Sequence, residues 1–340
     1  MTTRRGFLSV LGTVSLATTS LALSGCGRVP MRTVSGETMG TYFNIVVADA
    51  VSDVDMAHIS ERVKLELSQF VAQVSAYDHG SGLARLNDAK PGVWQQLGGA
   101  ATKLLEFSRD LTRTSDGTFD ATIGPLVELW GFGPKARVRT DVPSDAEIRA
   151  ALALTGYAGL ELDLANRRAR RLHPGVQLDV DGIGKGYGVD AVATALTRFG
   201  LKHFLVEIGG EVRARGRRAN GEAWRVGIAH PDGETPLANV ALTAKAIATS
   251  GDYQQFYDLG GRRYSHLLDP RSGVPILGNV SSVTVLAENT MTADALSTAL
   301  AVMGLEAGLA YADAHDIAAY FLHRDADGVA YRKSAAFQAT

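Results

Sequence analysis

The chain has 340 residues, 34 basic and 36 acidic side chains, a formal net charge of −2 and a single cysteine, Cys26. This charge balance excludes the strongly basic surface of proteins that bind nucleic acid, so we expect no nucleic-acid partner. One cysteine excludes an internal disulfide. The fold must therefore be stabilised by a hydrophobic core, for which a chain of this length is sufficient.

Residues 1–25 have the features of an export signal. Arg4-Arg5 precedes a mostly apolar stretch that is short for a membrane-spanning helix. Small residues then precede Cys26, as in bacterial lipoprotein cleavage sites, where the cysteine thiol carries the lipid. We predict a signal peptide over 1–25 with Sec and Tat export both open, a lipid-anchored tether over 26–36, and a location at the periplasmic face of a bacterial membrane. The alternative is an ordinary signal peptide with an incidental cysteine.

The rest of the chain is predicted as a single domain over 37–335 in which helical and strand patterns interleave. Short strands dominate from 204 to 286, which favours an antiparallel meander and an α+β fold over a doubly wound parallel sheet. In chain order we predict a strand at 41–48, helices at 58–74 and 98–113, a short helix or strand at 125–130, a loop at 131–143, a capped helix start at 144–147, a hairpin at 160–172, a helix at 186–199, strands at 204–208, 224–229, 240–242, 246–249 and 280–286, a helix at 291–303 and a last strand at 317–322.

A glycine-rich segment (DVDGIGKG, residues 179–186) lies between a predicted strand and a predicted helix. Its glycines allow close approach to the backbone, and a helix N-terminus beside Lys185 suits an anion such as a phosphate. The spacing is not that of a Walker loop. A tight turn with a surface lysine is the structural alternative.

Two further groups carry possible chemistry. Asp294 and Thr298 are four residues apart in a predicted helix, so they share a face and form a partial oxygen site for Mg²⁺. The alternative is a solvated or capping aspartate. His266 precedes the turn sequence DPRSG at 269–273, which could place it at the mouth of a cleft, although a lone histidine is more often structural.

Aromatic and sulfur side chains recur near two more glycine-containing segments, ETMGT at 37–41 and DGTFDATIGP at 116–125. Met39, Tyr77, Phe119 and Trp130 could sandwich a flat aromatic ring. Each of them could equally belong to the core.

Taken together, these segments resemble the ApbE-type FAD:protein FMN transferases. The resemblance extends from Glu37 to Met303, and Asp181 and Gly184 depart from it, since the family more often has a small residue and alanine there. The motifs that carry it occur in the order ETMGT, DGTFD with GPLV and WGF, DxxGIxKGY, IGGE, SGDY, HxxDPRSG and DALST.

The resemblance implies an ApbE-like two-lobed α+β fold with mainly antiparallel sheets, flanking helices and an FAD/Mg cleft between the lobes. It implies that Met39 and Tyr77 contact the isoalloxazine ring. Gly182, through its carbonyl, Asp294 and Thr298 would hold Mg²⁺. The remaining implied FAD contacts are Thr118, Phe119, Asp120, Asp179, Lys185 and the backbone of Leu268.

The reaction implied by the resemblance transfers FMN from FAD to a Thr or Ser hydroxyl of an acceptor redox protein, forms a phosphoester and releases AMP. A hydroxyl gains reactivity from a positioned base, and we expect His266 to be that base because a neutral imidazole is competent near pH 7. An FAD pyrophosphatase, in which water replaces the hydroxyl, is one alternative. A flavin-binding lipoprotein without turnover is the other.

Overall fold

The computed structural model describes residues 30–135, 139–231, 236–276, 278–326 and 328–338, so the predicted signal peptide and Cys26 lie outside the described residues. The described chain has an α+β fold with antiparallel sheets, which confirms the predicted class. Its strands are β1 (Arg32–Thr38), β2 (Thr41–Val47), β3 (Gln95–Gln96), β4 (Leu160–Asp163), β5 (Arg168–Arg171), β6 (Phe204–Ile208), β7 (Glu211–Arg215), β8 (Trp224–Ile228), β9 (Ala238–Leu242), β10 (Ala246–Gly251), β11 (Phe256–Leu259), β12 (Arg262–Ser265), β13 (Val280–Ala287), β14 (Ala318–Asp325) and β15 (Gly328–Lys333).

Helices connect these strands, and none in the described part of the chain combines the length and apolarity needed to cross a membrane. The predicted capped start at 144–147 is confirmed, since the side chains of Ser144 and Glu147 each accept a hydrogen bond from the other residue's backbone amide. The helices are α1 (Asp53–Val74), α2 (Gly82–Asp88), α3 (Gly99–Thr114), α4 (Gly124–Leu129), α5 (Asp145–Leu152), α6 (Asp181–Arg198), α7 (Thr290–Met303), α8 (Leu305–Ala314) and α9 (Ala335–Gln338).

The main sheet has eight strands in the order β1-β2-β6-β7-β10-β13-β14-β15, and every neighbouring pair is antiparallel. Two hairpins, β8–β9 and β11–β12, leave this sheet and form separate two-stranded sheets. The antiparallel meander predicted for 204–286 is therefore confirmed, except that these two hairpins pair outside the main sheet. The predicted hairpin at 160–172 is also present as β4–β5, which β3 joins at one edge.

Both edge strands of the main sheet differ from the sequence-based prediction. β1 occupies residues 32–38 and pairs with β2, so the fold begins five residues before the predicted domain start and includes part of the predicted tether. β15 follows the strand predicted to be the last. Each edge strand is about half exposed along its length, and such strands need few apolar residues and therefore carry a weak hydrophobic pattern.

The main sheet is covered on both faces. Along β14, Ala319 and Phe321 pack among residues of α7 and α8, whereas Tyr320 and Leu322 pack on the other side with Trp224 of β8 and residues of α9. This alternation follows from the period of two along a strand. On the helical face, α6 lies against α1, α7, β6 and β7, and α7 also lies against β10 and β13. The first turns of α6 and α7 thus meet over the middle of the sheet.

Candidate active site

The glycine-rich segment, predicted to lie between a strand and a helix, falls largely in the first turns of α6. The helix begins at Asp181, five residues before the predicted start, and Asp179 Oδ1 accepts a hydrogen bond from the Asp181 amide at 2.8 Å. Glycine within a helix costs about 1 kcal/mol relative to alanine. Here it permits close packing, because a Cβ at Gly186 would lie 2.4 Å from the carbonyl oxygen of Thr290 on α7. Packing against α7 therefore accounts for a helix that begins before its predicted start.

The three residues predicted to hold a metal lie together where α6 meets α7. Asp294 is buried, and its Oδ2 accepts a hydrogen bond from the Gly186 amide at 2.8 Å. In an α-helix that amide normally donates to the carbonyl four residues earlier, so the carboxylate competes with the Gly182 carbonyl for this donor. One turn along α7, Thr298 Oγ1 lies 3.3 Å from the position a Cβ would take on Gly182.

Ser250, near the end of β10, contacts the Thr298 hydroxyl. Its hydroxyl oxygen lies 2.9 Å from Thr298 Oγ1 and 2.8 Å from Ser297 Oγ. Sequence analysis assigned no role to Ser250, although it belongs to the SGDY segment. Because a serine beside a glycine is typical of turns, only the pairing of β10 with β13 shows that this one is buried against α7.

Lys185 of α6 forms an ion pair with Glu211 at the start of β7, and Nζ lies 2.9 Å from Oε1. Burial alone would lower the pKa of Lys185, but the carboxylates of Glu211, Asp294 and Asp181 outweigh it and raise that pKa above its ordinary value. Lys185 is therefore a fixed cation. Glu211 is a site residue that sequence analysis missed, since an acidic residue after two glycines is typical of a solvated turn.

The carboxylates around Lys185 are held in an environment that disfavours their charge. Burial raises the pKa of Asp294 and that of Glu211, and Lys185 offsets this only in part. A bound cation would stabilise such a group. Within the described residues no three His, Cys, Asp or Glu side chains form a metal-binding cluster. Donors suited to a hard cation include the Asp294 carboxylate, the Thr298 hydroxyl and the Gly182 carbonyl, all of them oxygens.

His266 follows β12 and has a defined orientation. Its Nδ1 lies 3.1 Å from the carbonyl oxygen of Gln255, and its backbone amide donates to the same oxygen at 3.0 Å. Because a carbonyl can only accept, Nδ1 carries the proton and Nε2 keeps its lone pair. The pKa of His266 is lowered to about 4, chiefly by burial, with the Gln255 carbonyl opposing the shift and the positive charge of Lys185 adding to it. The imidazole is consequently neutral and can accept a proton.

The residues predicted to bind the flavin ring, Met39 and Tyr77, lie near α6 and the residues just before it. Met39 occupies the turn between β1 and β2 with a positive φ of 49°, which is strained for a side chain of this size. Its Cε approaches α6, lying 2.8 Å from the position of a Cβ on Gly188. Tyr77 is 59% exposed, and its pKa is raised to about 12 by partial burial and then by the negative charges of Asp181 and Asp179. An exposed aromatic ring near two carboxylates is available to a ligand.

The side chains of other residues predicted to contact FAD are engaged in contacts within the protein. Thr118 Oγ1 donates to the Ser115 carbonyl at 3.0 Å, and Asp120 Oδ1 accepts from the amide and the hydroxyl of Thr122, each at 2.7 Å. Leu268 is buried, and its backbone pairs with that of Pro275 in an isolated antiparallel β-bridge. A ligand could meet these three residues through the backbone. Phe119, by contrast, lies close to the residues predicted to hold the metal. Its Cε2 lies 3.2 Å from the position that a Cβ would take on Gly182.

The DGTFD and DPRSG segments meet although about 150 residues separate them. Gly117 has a φ of +75°, and a Cβ there would lie 3.4 Å from Arg271 Cγ. Arg271 in turn pairs with Asp269 at 2.9 Å, and Trp130 Nε1 donates to the Gly273 carbonyl at 2.8 Å. These contacts tie the segment after His266 to the segment that carries Phe119.

Comparison with known proteins supports a common origin for this site. Residues 39–321 match the sequence profile of the ApbE family. The FAD:protein FMN transferase of Vibrio cholerae is 37% identical over 321 residues, covering 94% of this chain and 95% of the relative. The FAD:protein FMN transferase of Haemophilus influenzae is 33% identical, with 94% of each chain covered.

Solved structures give the same result. The flavin transferase ApbE from Vibrio cholerae matches with a TM-score of 0.82 at 36% identity, over 91% of this chain and 99% of that one. The apo form of the Pseudomonas stutzeri flavinyl transferase ApbE matches with a TM-score of 0.82 at 37% identity, over 91% and 96% of the two chains. With its motifs, fold and site all in agreement, the chain belongs to the ApbE family.

Proposed function

We propose that the protein is an FAD:protein FMN transferase, which moves the FMN part of FAD to a Thr or Ser hydroxyl of a redox protein and releases AMP. The observation that carries the proposal is that the Gln255 carbonyl orients a neutral His266 with Nε2 free to accept a proton, while Glu211 holds the Lys185 ammonium whose charge acts on that imidazole. Together they supply a base and an anion-binding group. The relatives from Vibrio cholerae and Haemophilus influenzae carry this activity in their names and cover nearly the whole chain.

In the proposed reaction the acceptor hydroxyl oxygen forms a bond to the phosphorus of the FMN phosphate. The bond from that phosphorus to the bridging oxygen of the pyrophosphate breaks, and AMP leaves with the bridging oxygen. The hydroxyl proton passes to Nε2 of His266, whose tautomer is fixed by Gln255. The ammonium of Lys185 stabilises negative charge on the phosphates and costs no reorganisation, since Glu211 already holds it.

Mg²⁺ fits the residues at the meeting point of α6 and α7. Asp294, the Thr298 hydroxyl and the Gly182 carbonyl would hold it, and their all-oxygen character suits a hard cation that also binds phosphate oxygens. When bound, Mg²⁺ supplies charge neutralisation at the pyrophosphate. The support for it is the closeness of the three donors and the burial penalty on the Asp294 carboxylate.

The flavin part of FAD would lie against Met39 and Tyr77, with Phe119 nearer the metal residues. A thioether and an exposed phenol ring suit the two faces of a flat heteroaromatic ring. The strained backbone of Met39 supports this role, because strain of this kind persists mostly at functional sites.

The proposed site of action is the periplasmic face of a bacterial membrane, with a lipid on Cys26. The support is the sequence of residues 1–26 alone. A lipid anchor would keep the enzyme near membrane-bound redox acceptors.

Incubation with FAD, Mg²⁺ and candidate periplasmic redox proteins tests the proposal. The expected result is a fluorescent flavin band on the acceptor in a denaturing gel, with one AMP released for each flavin attached. Release of AMP and free FMN at the same rate without any acceptor would instead identify an FAD pyrophosphatase. FAD binding with no AMP release in any mixture would identify a flavin-binding protein without turnover.

A further inference from the structure

Glu211 is the buried acid at the site to which the proposed reaction gives no step of its own. Its side chain is 1% exposed, and its Oε2 has no hydrogen-bond partner among the described residues, while Oε1 contacts the Lys185 ammonium. A buried carboxylate with one oxygen unsatisfied is costly, so it requires an explanation beyond stability. Replacing a buried ion pair by apolar residues is often neutral or stabilising, so the pair is weak evidence of a purely structural role.

The backbone around Glu211 forms a slot for the lysine side chain. Gly209 and Gly210 precede β7, and both have positive φ, at 58° and 103°. A Cβ on Gly209 would lie 2.8 Å from Thr41 Cγ2 and 3.4 Å from Lys185 Cδ. The absence of a side chain at 209 thus lets the lysine stem pass between β2 and the β6–β7 turn on its way to Glu211.

The carboxylates near Lys185 make its orientation depend on Glu211. Asp294 and Asp181 also attract the ammonium, and Asp294 is the residue assigned to the metal. A lysine stem is flexible, and its ammonium is a compact charge that forms contacts in several directions. Without Glu211 the ammonium would be drawn toward Asp294, away from the phosphates and toward the metal ligands.

We propose that Glu211 is a positioning residue that holds the Lys185 ammonium away from Asp294 and directs it to the pyrophosphate of FAD. This inference rests on the proposed transferase function. In this positioning role Glu211 contacts neither the flavin nor the reacting atoms. It acts through Lys185, and the effects of changing the two residues should therefore overlap.

A double-mutant cycle tests the inference, with kcat, KM for FAD and the thermal unfolding midpoint measured for the wild type, Glu211→Gln, Lys185→Met and the double variant. We expect Glu211→Gln to lower kcat by about 10- to 100-fold, as a misplaced group does. The double variant should be no slower than Lys185→Met alone, because Glu211 has no lysine left to position. Glu306→Gln, which removes an exposed partner of Arg332, is the matched control and should retain wild-type kcat.

Two results would overturn the inference while leaving the transferase function intact: wild-type kcat in Glu211→Gln, or a double variant roughly tenfold slower than Lys185→Met, which would indicate independent roles. If Glu211→Gln does not fold, Glu211→Asp takes its place in the test. This variant keeps the negative charge, but its side chain is one methylene shorter, so the carboxylate lies farther from Lys185. We expect this variant to bind FAD and to transfer FMN more slowly, and full activity in it would equally overturn the inference. Failure of the wild type to transfer FMN in the same assay would refute the proposed function itself.

Discussion

The amide nitrogen of Gly186 lies 2.8 Å from Oδ2 of Asp294, so a hydrogen bond joins the second turn of α6 to the second turn of α7. One turn further along α6, Asp190 accepts hydrogen bonds from the amides of Thr290 and Met291, at 3.0 and 2.9 Å. The glycine-rich segment and the carboxylate proposed to bind Mg²⁺ are therefore parts of one packed helix pair. Their relative position is set by helix packing and does not depend on a loop.

Substitution of Gly186 by alanine should disturb this helix pair. The new Cβ would lie 2.4 Å from the Thr290 carbonyl oxygen and 2.8 Å from Asp294 Cβ, so α6 and α7 must separate. We expect Gly186→Ala to destabilise the protein by about 1–3 kcal/mol, as overpacking does, and to lower transfer activity. Chemical denaturation and the transfer assay measure the two effects.

Gly184→Ala is the matched control for this change, because a Cβ at Gly184 has nothing within 4 Å. It lies in the same helix and should be neutral or stabilising by up to about 1 kcal/mol, the difference in helix propensity. Equal effects of the two substitutions would show that backbone propensity, and not packing against α7, governs this segment.

The same segment shows where sequence alone could not predict the structure. Residues 182–186 contain three glycines, and the predicted helix therefore began only at Gly186, whereas contacts to α7 support a helix from Asp181. Strands with dense β-branched content, such as β6 and β13, were predicted within a residue of their ends. The edge strands β1 and β15 were not, since a half-exposed strand needs little apolar content to pair.

The same distinction holds for the candidate site, where some residues could be predicted from the sequence and others could not. The pairing of Asp294 with Thr298 followed from their helical spacing and the role of Gly182 from the family resemblance, and the fold brings the three residues together. Glu211 and Ser250 could not be assigned, because their burial arises from strand pairing across the main sheet and from its packing on α6 and α7. Polarity in a sequence does not distinguish a solvated turn from a buried contact.

Replacement of His266 should separate flavin binding from transfer. His266→Ala removes the group that accepts the hydroxyl proton but leaves Met39, Tyr77 and Lys185 in place. We expect FAD affinity within about threefold of wild type and transfer lower by about 10²–10⁴-fold, the usual contribution of a general base. Equilibrium FAD binding and single-turnover flavin attachment measure these quantities. Full transfer in His266→Ala would refute the assignment of the base.

The acid sensitivity of the fold should also depend on His266. Its pKa of about 4 in the folded protein lies below that of a histidine in the unfolded chain, about 6.5. Between these values the unfolded chain binds more protons, so the stability contributed by the neutral imidazole is complete above pH 6.5 and decreases as the pH falls through 4. His266→Gln should therefore show a shallower loss of unfolding free energy over this interval. Parallel curves for variant and wild type would contradict the shifted pKa.

Loss of the Asp294 carboxylate should appear as a change in the Mg²⁺ requirement. Asp294→Ala leaves the Thr298 hydroxyl and the Gly182 carbonyl, which are weaker ligands than a carboxylate. We expect the Mg²⁺ concentration for half-maximal transfer to rise by roughly 10- to 100-fold, as for other losses at a metal site, and excess Mg²⁺ to restore part of the activity. Titration with Mg²⁺ tests this, with the exposed Asp110→Ala as control. An unchanged Mg²⁺ dependence would exclude Asp294 as a ligand.

Tyr77 offers a test of flavin contact that is separate from folding. Its side chain is 59% exposed, so Tyr77→Ala should change the unfolding free energy by no more than about 0.5 kcal/mol. Loss of an aromatic contact should weaken FAD binding by about 0.5–1.5 kcal/mol, which is roughly 2- to 13-fold in Kd. Tyr331, 58% exposed on the edge strand β15, is the matched control, and Tyr331→Ala should leave the FAD affinity unchanged. Equal FAD affinity in both variants would exclude Tyr77 from the flavin site.

Cys26→Ser should release the enzyme from the membrane without abolishing transfer. The proposed chemistry uses oxygen ligands, an imidazole and an amine, and the only thiol of the chain has no part in it. Because β1 begins at Arg32, the chain from residue 26 to the sheet can extend at most roughly 20 Å, so an anchored enzyme would remain close to the membrane surface. Fractionation should find the wild type with membranes and Cys26→Ser in the soluble fraction. With a soluble acceptor, the two forms should have equal kcat, whereas a variant that stays in the membrane fraction would refute lipid anchoring at Cys26.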